Sequence, residues 1–170
     1  MSKLLITEPP IKQRKAIYDL YKVIIECELP EHKKQLLLTV SFGYEKWSWR
    51  VVGITKQAII EFAKNDYKYK TRTFNRDHFY QERHVTFSLM LKNIIPFNDW
   101  WSLFWENDRT ILVTSKEHGN KHKLKLEEEI IPIDWESGYF TSNPRAGFSF
   151  TKKREGQLIK ELIKKHDIKF

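Results

Sequence analysis

A single cysteine, Cys27, is the chain's whole supply of thiol, which excludes an internal disulfide and a zinc site built from several cysteines. Cys27 falls on the apolar stripe of an expected helix and reads as a small buried hydrophobe, in keeping with a reducing cytosol. No apolar run approaches the roughly 18 residues of a membrane span. Before Pro9 and Pro10 there is also no stretch that resembles a secretory leader. The expectation is a cytoplasmic protein with no membrane contact. Several enzyme signatures are missing: Gly-x-x-x-x-Gly-Lys-Ser/Thr, Gly-x-Gly-x-x-Gly and Gly-x-Ser-x-Gly. Their absence disfavours a P-loop triphosphatase, a simple Rossmann enzyme and an α/β hydrolase. Repeats, low-complexity tracts and linkers are lacking as well, so residues 1–170 are expected to form one domain with a core of its own.

What the chain has in quantity is positive charge and aromatic rings. A net charge of +8 and a pI near 9.4 attract phosphate backbones or anionic surfaces. Six Trp, seven Tyr and eleven Phe supply either a rich core or rings for stacking on bases.

The apolar spacing of Ile17, Leu20, Tyr21, Ile24 and Cys27 predicts an amphipathic helix over 11–28, ended by Pro30. Residues 35–41 and 46–53 read as strands of a first hairpin around Phe42–Glu45. Thr55 offers an N-cap for a helix over 56–65, with Ala58, Ile59, Phe62 and Ala63 as its buried face. The alternation from Tyr67 to Phe74 predicts a strand with Lys68, Lys70 and Arg72 on one face, cations about 7 Å apart. That row suits a phosphate backbone, and equally a sheet face whose lysines discourage edge pairing.

A short helix over 84–93 follows, then Pro96 and a Trp-rich helix near 100–106 capped by Asn98 or Asp99. Its three Trp fit core packing better than a stacking platform. Asn107–Arg109 reads as a turn, 110–114 as a buried strand, 115–123 as a loop or helix start and 125–133 as a strand. Beyond a loop over 134–147, in which Arg145 could reach a phosphate or a base edge, a last helix from about Thr151 to His166 turns Leu158, Leu162 and Ile163 inward. Lys152, Lys153 and Arg154 join its basic surface. The fold class is α+β, with a mostly antiparallel sheet and N-terminal, central and C-terminal helices.

Four of the six histidines, His78, His84, His118 and His122, lie between residues 78 and 122. Imidazole titrates near neutrality and binds metals, so this cluster is the first place to look for chemistry. Arg76, His78 and Arg83 could surround a phosphate, guanidinium groups clamping it while imidazole moves a proton. The bland alternative is a solvated loop in which Arg76 and Arg83 pair with Asp77 and Glu82. His84, beside an apolar helix, fits a structural histidine. His118 and His122, at i and i+4, could share a metal if their segment is helical. Carboxylate sites of the PD-(D/E)xK type find no well-placed set; Glu31-His32-Lys33 with Asp19 fits by letters alone, and Glu127–Glu129 reads as a solvated strand edge.

With these residues the segment 74–123 resembles the HNH, or ββα-metal, endonucleases. The resemblance implies His78 or His84 as the base that activates water, Asn107 as the residue orienting it, and His118 and His122 as ligands of a divalent metal, Mg or Zn. It departs from the family in the long gap between the histidine and Asn107, in Gly119 and Asn120 within the ligand segment, and in Asn75–Tyr80 where the family's first motif would stand.

The expectation is a small DNA-acting endonuclease of restriction or phage type, with RNA as an alternative substrate. Lys68, Lys70, Arg72, Lys152, Lys153 and Arg154 would hold the backbone without reading sequence. Cleavage of palindromic DNA would imply a homodimer, though no residue marks its interface. The competing readings are a non-catalytic nucleic-acid-binding regulator or phage-encoded inhibitor, and an interaction protein that docks through its Trp-rich helix.

Overall fold

The computed structural model describes residues 6–43, 45–70, 72–119, 130–143 and 147–169. Pro9 and Pro10 lead into α1 (Ile11–Glu26), which buries Ile17, Tyr21 and Ile24, the stripe expected from the sequence. Cys27 ends it, half-buried, donating through Sγ to Ile24 O at 2.9 Å. Pro30 then opens α2 (Glu31–Phe42), where the sequence predicted the strand 35–41. Leu-Leu-Leu-Thr-Val is a short apolar run that periodicity alone cannot assign. The twelve residues after Pro30 contain no turn signal, and Leu38 and Phe42, one helical turn apart, are fully buried. The hairpin reading therefore falls.

The second expected strand is shorter and later, β1 (Arg50–Thr55). Thr55 caps α3 (Lys56–Lys64), its Oγ1 accepting from Ala58 N at 3.1 Å. The chain leaves α3 with Tyr67 N donating to Phe62 O at 2.8 Å, and Asp66 and Tyr67 both adopt left-handed backbone at φ 53°. This helix-terminating turn, followed by left-handed Arg72 at φ 64°, is why the described residues of 67–73 do not form the expected strand. Lys68, Lys70 and Arg72 therefore do not form a row on a strand face. The strand is β2 (Phe74–His78), which directly precedes α4 (Arg83–Lys92) and α5 (Phe97–Asn107). Pro96, not Asn98 or Asp99, occupies the N-cap of α5.

β3 (Arg109–Thr114), α6 (Ser115–Gly119), β4 (Ile130–Pro132), a 3₁₀ turn at Trp135–Ser137, β5 (Ser142–Asn143), β6 (Gly147–Phe148) and α7 (Glu155–Lys165) complete the described elements. The architecture is α+β. A four-stranded sheet runs β2-β3-β1-β4; its two outer pairings are antiparallel, while β1 and β3 pair in parallel. The segments 120–129 and 144–146, which hold His122, Arg145, Glu127–Glu129 and most of the expected strand 125–133, lie outside the described residues.

Two apolar clusters form. One packs α3 and α7 on the sheet through Ile54, Ile59, Phe62, Phe74, Leu112, Phe140 and Ile159. The other joins α1, α2, α4 and α5 around Tyr21, Phe42, Phe87, Trp100 and Phe104, with the Phe42 and Phe104 rings stacked at 3.7 Å. Trp100 is fully buried, so the Trp-rich helix is core. Among the described residues no helix is long and apolar enough to cross a membrane.

Thr55 links helix capping to the sheet, because its Oγ1 also donates to buried Glu117 Oε2 at 3.0 Å, an oxygen that accepts from Thr114 N and Oγ1 as well. Replacing Thr55 by Ala should cost about 1–2 kcal/mol in a urea unfolding curve.

Candidate functional site

The chain that enters β1 reads Trp47-Ser48-Trp49-Arg50, and it bridges the two apolar clusters. Trp47 and Ser48 are buried and Arg50 is 5 % exposed, while Trp49 is half-buried with a left-handed backbone at φ 58°. Buried polar groups of this kind must find partners. Asp108, the C-cap of α5 and 2 % exposed, supplies most of them. Its Oδ2 accepts from Trp49 N at 2.7 Å, and its backbone oxygen accepts from Arg50 N at 3.2 Å. Oδ1 takes both Nε and Nη2 of Arg83, at 3.1 and 2.6 Å. Arg83 Nη2 also donates to Ser48 Oγ at 2.8 Å.

Arg83 opens α4 and is 7 % exposed. It therefore belongs to an interior pair with Asp108, not to a solvated pair with Glu82 or Asp77. Arg76 donates through Nη1 to Trp49 O at 3.2 Å and to Ser142 Oγ at 2.8 Å. Ser142 in turn donates to Ser48 O at 2.6 Å. Three residues from the sequence cluster thus meet at one ring: Arg83 lies 4.1 Å and Arg76 5.1 Å from the Trp49 ring centre, and the His78 ring centre lies 4.8 Å away. Cations placed over an indole in this way gain about 0.5–2 kcal/mol. Arg50 is held separately, its guanidinium 3.5 Å from the Trp105 ring and 5.0 Å from Trp135, with Nη2 donating to Trp105 O. Burial lowers its pKa to about 10, against the raising field of Asp108.

His78 ends β2 with its side chain 6 % exposed, Nδ1 standing 3.6 Å from Glu82 Oε2. Burial pushes the imidazole pKa below its ordinary value, aided by Arg83 and opposed by Asp108, Glu82 and Asp77. At neutral pH the ring is therefore neutral and able to accept a proton. Its Nε2 and the Nη1 of Arg83 are both buried with no hydrogen-bond partner among the described residues. An orphaned buried polar atom costs about 1–3 kcal/mol, so each calls for a partner. His78, Arg83 and Trp49 also line a cleft of about 380 Å³ between α2 and α4, with His32, His84 and Phe87 around it. His84 is exposed on its wall, not packed as a structural histidine.

The other expected site residues lie elsewhere. Asn107 turns back on α5, its Nδ2 donating to Leu103 O at 2.8 Å, and its neighbour Asp108 faces the site in its place. His118 stands on α6 with Nδ1 3.7 Å from Asp77 Oδ2. Asp77 and His78 are consecutive in a strand and face opposite sides of the sheet, which separates His118 from His78. Among the described residues no three His, Cys, Asp or Glu side chains converge as a metal set.

The lysines are partly gathered by Asp66. Its Oδ2 meets Lys152 at 3.0 Å and Lys68 at 3.3 Å, and both, Lys152 first, hold the carboxyl below its usual range. Lys160 sits 4.8 Å from the Tyr67 ring beside them. Lys70, Arg72 and Lys153 are exposed, whereas Arg154 turns to Ser137 O at 2.5 Å and covers the Tyr139 ring at 4.9 Å. Sequence reasoning missed Trp49, Asp108 and Ser48; the only signal available was the density of Trp, Ser and Arg over 47–50. No protein-family model, curated protein or solved structure matches the chain.

Proposed function

We propose that the protein is a small cytoplasmic endonuclease acting on DNA, with its reaction centre at His78 and Arg83. One observation carries this reading. Two side chains more than nine-tenths buried line the same cleft, and each keeps a polar atom without a partner. The pair has complementary chemistry for phosphodiester hydrolysis. Neutral His78 takes a proton from water as its oxygen attacks phosphorus, the opposite P–O ester bond breaks, and the departing sugar oxygen takes a proton from solvent. Arg83, already oriented by Asp108, donates to the phosphoryl oxygens as negative charge builds on them. Holding Arg83 in advance avoids reorganisation during the reaction. The exposed cations Lys68, Lys70, Arg72, Lys152 and Lys153 contribute affinity that falls with salt.

The divalent metal implied by the ββα-metal resemblance finds a poor fit among the described residues, since His118 has Asp77 beside it and no third ligand. His122 lies outside them.

Incubating purified protein with plasmid and with single-stranded RNA, first with Mg²⁺ or Mn²⁺ and then with EDTA, tests the proposal. DNA cleavage that survives EDTA supports His78 and Arg83 as sufficient. Cleavage lost with EDTA transfers the mechanism to a metal site and directs substitution to His118 and His122. RNA cleavage alone corrects the substrate. Absence of cleavage with salt-sensitive binding would favour the regulator reading, for which the lysines around Asp66 and Tyr67 are the supporting observation.

A further inference from the structure

The Trp49 ring occupies a position of unusual charge. The Arg83 guanidinium lies 4.1 Å from its centre and is bonded to the buried carboxylate of Asp108, while the carboxylates of Asp77 and Glu82 act on the neighbouring His78. Arg76 approaches the same ring from β2. The unpartnered Nη1 of Arg83 and Nε2 of His78 are polar atoms for a negative ligand to engage.

The backbone of Trp49 is pinned from both sides. Its N–H donates to Asp108 Oδ2, and its carbonyl accepts from Arg76 Nη1 and, at 3.3 Å, from Thr110 Oγ1. Those bonds hold the left-handed conformation in a residue that is not glycine. They leave the side chain as the part able to turn, about its own Cα–Cβ bond and toward the cleft that it lines. A ring over a guanidinium is a weaker partner than an oxyanion bonded to it, so an anion of sufficient affinity displaces the ring.

We propose that the space covered by Trp49 is a binding site for a tetrahedral oxyanion of the phosphate class, held by Arg83 and His78, and that the Trp49 ring closes it in the resting protein. This rests on the reading of His78 and Arg83 as the reaction centre, and it adds that substrate must first displace Trp49. The ring then acts as a selectivity element, admitting ligands whose phosphate reaches Arg83.

The probe is inorganic phosphate, at constant ionic strength against chloride. Trp49→Ala should bind phosphate about tenfold or more tightly by calorimetry, since the closed state no longer competes. Arg83→Lys in that background, which keeps a cation against Asp108 but loses the guanidinium fork, should remove the gain. In wild-type protein carrying 5-fluorotryptophan, the ¹⁹F resonance missing from Trp49→Phe identifies Trp49, and saturating phosphate should shift that resonance more than the other five. If Trp49→Ala binds phosphate no better than wild type, the proposal fails. Should that variant not fold, an unmoved Trp49 resonance in wild type at saturating phosphate overturns it alone. Both readouts are independent of turnover: DNA cleavage with an unresponsive Trp49 sinks the gate and leaves the nuclease standing, whereas a responsive Trp49 without cleavage does the reverse.

Discussion

Replacing Arg83 by Leu should destabilise the protein by about 3–5 kcal/mol. The cause is what remains behind. Asp108 is 2 % exposed, and Arg83 supplies two N–H donors to its Oδ1, so the leucine variant leaves a carboxylate in the interior with one oxygen stripped of partners. Ser48 Oγ loses its donor at the same time. The double variant Arg83→Leu, Asp108→Leu removes both charges and should recover part of the loss, although Trp49 N then lacks its acceptor. For a chain of this size a loss of that order corresponds to a melting point lower by roughly 10 °C. Urea unfolding of the two single variants and the double variant gives the coupling directly. A loss below about 1 kcal/mol in Arg83→Leu would mean that the pair with Asp108 is solvated and not interior.

The same pair shows where the sequence stops being informative. Arg83 and His78 stand out as a basic, aromatic cluster because they are near one another in the chain. Their partner Asp108 is 25 residues from Arg83, and its link to Trp49 spans 59 residues. Local spacing carries no signal for such contacts. The elements with clear local rules are legible: α1 from its apolar stripe, α3 from the Thr55 cap, α7 from periodicity, β3 from its apolar run after a turn. α2 was not, since Leu36, Leu37 and Val40 are apolar yet exposed and disguise the buried Leu38 and Phe42. The alternation at 67–73 is regular, yet its described residues form no strand, because the end of α3 and the left-handed Asp66, Tyr67 and Arg72 decide the path there. Asn107 comes from the ββα-metal resemblance alone, whereas the cap position makes its neighbour Asp108 the inward residue.

Replacing His78 by Ala should lower single-turnover cleavage of DNA by about 10²–10⁴-fold and leave oligonucleotide affinity within a few-fold of wild type. The asymmetry follows from position: the imidazole is buried at the floor of the cleft, while the exposed lysines that carry backbone affinity are elsewhere on the surface. An equal loss of both would make His78 a binding or structural residue. Acidity provides a second readout. Burial holds the folded pKa below the value of about 6.5 expected for the unfolded chain, with Asp108, Arg83, Glu82 and Asp77 as the charged neighbours. Between those two values the unfolded chain binds more protons than the folded one, so stability rises with pH across that window and falls on acidification through it. His78→Gln, which cannot titrate, should flatten this part of the stability curve. The wild-type rate should stay level down to about pH 6.5 and fall only below it, as the ring gains the proton that blocks it from acting as a base. An acid limb above pH 7 would assign the base to a different group.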